Sequence, residues 1–108
     1  MKKLYVDVTA AVRFPRSLPA PEAEAAGDNI EVSFAPPAGG PADVHDTEVR
    51  QVKWVAPDCL HLVARLIILI DEGADLEQVM AEMSYTVLTG EVTPSATELL
   101  GWVVVGAK

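Results

Sequence analysis

The run from Pro57 to Gly73, PDCLHLVARLIILIDEG, is the most apolar stretch of the chain, and whatever it becomes, its neighbours must cover it. Its polar members Asp58, His61, Arg65 and Glu72 are spaced three, four and seven residues apart, one narrow stripe on a helix of 3.6 residues per turn. Pro57 suits a first helical position, where its missing N–H would have no partner anyway. Gly73 suits the left-handed residue that closes a helix. A buried strand through Leu66 to Ile70 is the competing reading, because a short apolar run is ambiguous by period alone. Length and both end signals favour the helix, with a wide apolar face that requires cover on several sides.

Alternation is clearest before this run. Leu4, Val6, Val8, Ala10, Val12 and Phe14 alternate with Tyr5, Asp7, Thr9, Ala11 and Arg13, which predicts a long strand stopped by Pro15. Pro21 and Gly27 bracket a short helical turn. Ile30, Val32 and Phe34 predict a second strand with one wet face, and the Pro36–Pro41 cluster a surface loop. A third strand is expected from about Thr47 to Val55. Val49 and Val55 fall on one parity and Val52 and Trp54 on the other, the pattern that a bulge, or burial of parts of both faces, produces.

After the apolar run, Asp75 with Gln78 three residues on resembles a capping box, followed by a helical stripe of Leu76, Val79, Met80 and Met83. Tyr85–Thr89 predicts a fourth strand ended by Gly90. Thr97–Val105 predicts a fifth, apolar on both faces at Trp102–Val105 and so expected inside the sheet or in a subunit interface. Thr47-Glu48-Val49 before Trp54 echoes Thr97-Glu98-Leu99 before Trp102; two strands of similar composition give this by chance, and it is not read as a repeat. The expected architecture is one α+β domain over residues 1–108. Its antiparallel sheet of about five strands carries two helices on one face, in the order β-β-β-α-α-β-β.

Catalytic signals are weak. Asp43-Val44-His45-Asp46 contains ligand-type side chains but no third ligand at a defined spacing, so it reads as a polar loop. Cys59 and His61, two apart on a helix, point to different faces and form no catalytic pair. Gly39-Gly40 is followed by neither a lysine nor a helix start, so it is no phosphate cradle. No serine sits in a nucleophile elbow, and no carboxylate pair names an acid and a base. The sequence predicts no enzyme activity, no metal and no cofactor. A single cysteine forbids an internal disulfide and suits a reducing compartment. The start Met1-Lys2-Lys3-Leu4-Tyr5-Val6 reads as a strand rather than a secretory signal. No stretch reaches the roughly 20 apolar residues that span a bilayer, and the expected location is the cytoplasm.

Charge is the informative feature. Sixteen acids face eight bases, for a net charge of −8. Seven acids and no lysine or arginine lie between Ser17 and Glu48, and again seven between Leu66 and Ala107. Asp71, Glu72, Asp75, Glu77 and Glu82 gather around the expected junction of the two helices. An acidic surface keeps a small apolar protein dissolved, and it also steers association with a basic partner. Nucleic acid itself would be repelled; a protein whose groove already grips nucleic acid is the natural target.

The segment Leu76-Glu77-Gln78-Val79-Met80-Ala81-Glu82-Met83-Ser84-Tyr85, with Thr97-Glu98-Leu99 and the apolar strand after it, resembles the tails of small acidic proteins of phages and mobile elements. That class includes anti-CRISPR proteins. The resemblance covers about the last third of the chain and carries over no functional residue. It implies a phage-type inhibitor, acting in the host cytoplasm, that blocks the basic nucleic-acid surface of a defence complex such as a CRISPR effector. On this expectation the five carboxylates from Asp71 to Glu82 bind the partner. The alternative is a phage structural or assembly protein whose apolar helix, through Leu66–Ile70, and final strand, through Trp102–Val105, build a homo-oligomer such as a ring or filament; a homodimer is compatible with the inhibitor.

Overall fold

The computed structural model covers residues 1–108 and contains six strands and two short helices. In chain order they are β1 (Lys2–Arg13), α1 (Ala20–Asp28), β2 (Glu31–Ala35), β3 (Ala42–Ala56), β4 (Cys59–Ile70), α2 (Leu76–Ala81), β5 (Ser84–Leu88) and β6 (Ala96–Ala107). The order β-α-β-β thus occurs twice. A four-stranded antiparallel sheet has the order β3-β4-β1-β6, and β2 pairs with β5 in a separate antiparallel ribbon. The class is α+β. The expected order of five strands with consecutive helices does not hold, because each helix lies between strands.

The largest departure from the sequence reading is β4. The apolar run is a strand, paired over its length with β1 on one side and β3 on the other. Leu60, Leu62, Ala64, Leu66, Ile68 and Ile70 are fully buried, while His61, Val63, Arg65, Ile67 and Leu69 between them are only half-buried. That is a period of two. Asp58 and Glu72 lie outside the strand, and His61 and Arg65, four apart, share a parity that fits a strand as well as a helix. Pro57-Asp58 is the corner of a tight hairpin between β3 and β4, where proline's fixed φ serves a turn instead of a helix start. Gly73 does take the left-handed conformation, with φ +81°, in the turn after β4.

The even-numbered side chains of β1 and β4 meet across one face of the sheet and form the centre of one apolar core. Ala26 of α1, Phe34 of β2, Val79 and Met80 of α2, and Met83 belong to the same core. The segments that connect the long strands therefore cover this face. Burying a leucine or isoleucine there contributes about 1.5–3 kcal/mol each, which is what sets the register. The long strands also set the shape, 47 × 23 × 19 Å. Thr89, the one buried polar residue, donates its hydroxyl to the Val92 carbonyl.

The odd-numbered face is open, and its centre is ionic. Arg65 donates to both carboxylate oxygens of Asp7, at 2.8 and 3.1 Å, and Glu48 flanks Arg65 on β3. The hydrogen bonds from Arg65 hold the Asp7 carboxyl below its ordinary value of 3.8, against the opposing effect of desolvation. Cys59 and His61 share this parity, so they lie on the same side of the sheet rather than on the different faces a helix would give.

β3 starts earlier than expected, so Asp43-Val44-His45-Asp46 is strand, not loop. Of the two causes expected for its broken alternation, the bulge is present: the register shifts three times, after Val44, Val49 and Trp54. β6 is an outer strand and not an interior one. The echo between Trp54 and Trp102 falls on the last strands of the two β-α-β-β units, but their positions differ. Trp54 is opposite Leu60 beside the hairpin, and Trp102 is opposite Val8 in mid-strand.

Candidate functional site: an acidic covering layer and a bare outer strand

Residues 17–41 and 71–95, which supply α1, β2, α2, β5 and their connections, contain ten carboxylates and no lysine, arginine or histidine. The remainder, chiefly the long strands, holds six acids and all eight bases. Charge therefore segregates by layer. The two acidic tracts, distant in sequence, come together because both code for the cover of the same face. One base reaches into the layer from its flank: Arg16 bonds Glu22 at 2.6 Å, with both side chains exposed. The other two ion pairs, Arg50–Glu48 and Arg65–Asp7, lie on the sheet.

The five carboxylates expected to bind a partner are all exposed, and none forms an ion pair. They do not surround a helix junction, since the first of the two expected helices is a strand. Asp71 and Glu72 follow the end of β4, where the Asp71 amide donates to the Pro41 carbonyl at 2.8 Å. Asp75 caps α2 by accepting from the Glu77 amide at 3.0 Å, one residue earlier than a capping box requires. Its carboxylate also sits well at the positive end of the helix.

Around α2 the acids divide between two flanks. Asp75 and Glu82, with Gln78 between them, face the loop of Pro36, Pro37, Gly40 and Pro41 across a cleft of ≈ 280 Å³. Gly39, with φ +78°, makes the bend that brings this loop round. Apolar proline rings on one wall and carboxylates on the other suit a lysine or arginine side chain, whose stem is apolar and whose head is charged. Glu77 lies on the opposite flank, beside a broad open hollow. Met80, Met83 and Tyr85 form one side of that hollow, and Leu99, Leu100 and Trp102 of β6 the other.

The hollow exists because the cover stops short of β6. The Tyr85 hydroxyl donates to the Thr97 carbonyl at 3.2 Å, and Leu99 packs on the core. Beyond that point the inner face of β6 is bare. Trp102 is 37% exposed and Val104 41%, although the register sets them opposite the fully buried Val8 and Val6. Leu100, Val103 and Val105 are exposed as well, so β6 shows apolar side chains on both faces. The apolar character of both sides of this strand is plain in its sequence; the hollow is not, because it depends on how far α2 and β5 reach.

His45 and Asp46 are exposed on β3, and the Asp46 carboxylate accepts from the Thr47 amide at 2.9 Å. No group of three or more His, Cys, Asp or Glu side chains stands close enough to hold a metal ion. No helix is long and apolar enough to cross a membrane. No protein-family model matches the chain, and no curated protein or solved structure matches it either.

Proposed function

We propose that this chain is a non-catalytic binding protein whose acidic layer docks on a cationic surface of another protein. In its narrower form the proposal is an anti-CRISPR-like inhibitor, acting in the host cytoplasm, that occupies the basic nucleic-acid groove of a defence complex. One observation carries it: ten carboxylates and no base occupy a single layer, nine of them exposed. A merely solubilising charge has no reason to avoid bases on one layer while the sheet takes all eight. Mutual repulsion among the carboxylates costs stability, screened in part by salt, and a cationic partner relieves it.

The partner-binding residues in this reading are Asp71, Glu72, Asp75, Glu77 and Glu82. Asp75 and Glu82 take a basic side chain in the proline-walled cleft, and Glu77 guides an apolar-and-basic segment toward the hollow. Inhibition is steric and electrostatic: carboxylates take the place of phosphates on Lys and Arg.

The test is binding of the chain to a CRISPR effector complex across a salt series. The expected result is affinity that falls steeply with salt, and a loss on the order of tenfold to a hundredfold when Glu72, Asp75 and Glu77 are reversed to lysine together. Binding that ignores both salt and the triple reversal removes the mechanism. Absence of binding to any effector removes the narrower form.

A further inference from the structure

We propose that β6 is the pairing edge of a two-fold homodimer, in which two copies join antiparallel with Val103 at the axis and Glu98 of each chain opposite Lys108 of the other. The inference stands on β6 alone and does not depend on the acidic layer. β6 is hydrogen-bonded to β1 on one side and has no strand on the other. An edge of this length with exposed Leu100, Trp102, Val103, Val104 and Val105 is a template for another strand.

Charge selects the occupant and the register. Between Glu98 and Lys108 β6 carries no charged residue. Glu98 is opposite Ala11 on the odd-numbered face, and the backbone of Lys108 exchanges hydrogen bonds with Lys3, at 2.7 and 3.1 Å, which sets Lys108 on that same face. An acid near one end and a base at the other, on one face, are self-complementary only when two copies run antiparallel. A two-fold at Val103 brings each Glu98 to a Lys108. It also sets Trp102 beside the second copy's Val104, both on the inner face, so both bare inner faces become one. Centring the axis on Trp102 instead sets Glu98 opposite Gly106, with no base to meet it.

The other outer strand keeps the assembly closed. β3 bears Asp43, His45, Asp46, Glu48, Arg50 and Lys53 and three register shifts, which oppose edge pairing. Of the two outer strands of the four-stranded sheet only β6 is receptive, so pairing there gives a dimer instead of a continuous sheet.

Sedimentation of the full chain across micromolar concentrations tests this. The expected result is a reversible monomer–dimer equilibrium with no larger species. E98K places like charges together twice per dimer and is expected to raise the dissociation constant about tenfold. K108E is expected to do the same, and E98K/K108E to return the constant to within about threefold of the original. V103E, which sets two carboxylates at the axis, is expected to give monomer only. A chain that stays monomeric, a dimer indifferent to E98K, a double variant no better than the singles, or an open-ended assembly would each overturn the proposal. Glu98 and Lys108 are both exposed, so their variants keep the test decisive if V103E does not fold.

Discussion

The two outer strands of the sheet, β3 and β6, close the two β-α-β-β units and yet present opposite surfaces. The inner face of β3 is covered. Trp54 stacks on Phe14 with ring centroids 5.4 Å apart, and a Cβ on Gly27 of α1 would lie 3.6 Å from its indole nitrogen. Val44 and Val52 pack on the core. Its outer side is charged and bulged. β6 has two register shifts of its own, but its inner face is bare past Leu99 and it carries one charged residue within Ala96–Ala107. Each strand pairs with a central strand of the same kind, so the contrast comes from the cover and from side chains alone. An edge is thus blunted by charge, bulge and a covering helix together, and removing all but the bulges leaves it ready to associate.

The central strands β4 and β1 support the two edges. Ile68 lies between Leu4 of β1 and Val44 of β3 and is fully buried. Ile68→Ala is expected to cost about 2–5 kcal/mol in urea unfolding. A cost near that of an exposed site would mean that the sheet is not the common support of the two edges. The tryptophans sharpen the contrast. Trp54→Ala is expected to lose about 2–3 kcal/mol, for a half-buried ring stacked on Phe14. Trp102→Ala, measured on dilute monomer, is expected to lose under about 1 kcal/mol. Equal losses would show that β6 is as well covered as β3.

Most of the strands were legible as alternation. β1, β2, β5 and β6 fall within two residues of their expected bounds, because each has one buried and one wetter face or a β-branched run between turn residues. β4 was not legible. Its half-buried positions are filled by Val63, Ile67 and Leu69, so only His61 and Arg65 marked that face, and two residues four apart cannot distinguish the two periods. Pro57 and Gly73 then signalled helix ends while serving turns. The acidic tracts were plain in the sequence. Their gathering in one layer was not, since it requires knowing that residues 17–41 and 71–95 cover the same face. Nor was the bare side of β6, which depends on where α2 and β5 end.

The smallest expected effect concerns the open face between the two edges. Asp7 is held below its ordinary pKa by Arg65, so the folded state keeps this carboxylate ionised more readily than the unfolded chain does. The pair's contribution is fully present above the unfolded value and is lost as pH falls through the lower folded one. Unfolding midpoints recorded from pH 6 down to pH 2 are expected to decline less steeply for Asp7→Asn than for the original chain, with the difference confined to the acid limb below about pH 4. Parallel curves would show that the pair does not distinguish folded from unfolded Asp7.

The contrast between the edges is tested most directly by amide hydrogen exchange, read strand by strand at low and at high protein concentration. Exchange in β6 from Leu99 to Val105 is expected to slow as concentration rises, while exchange in β3 stays the same. Protection that rises equally in both strands, or in β3 alone, would mean that β6 is not the associating edge.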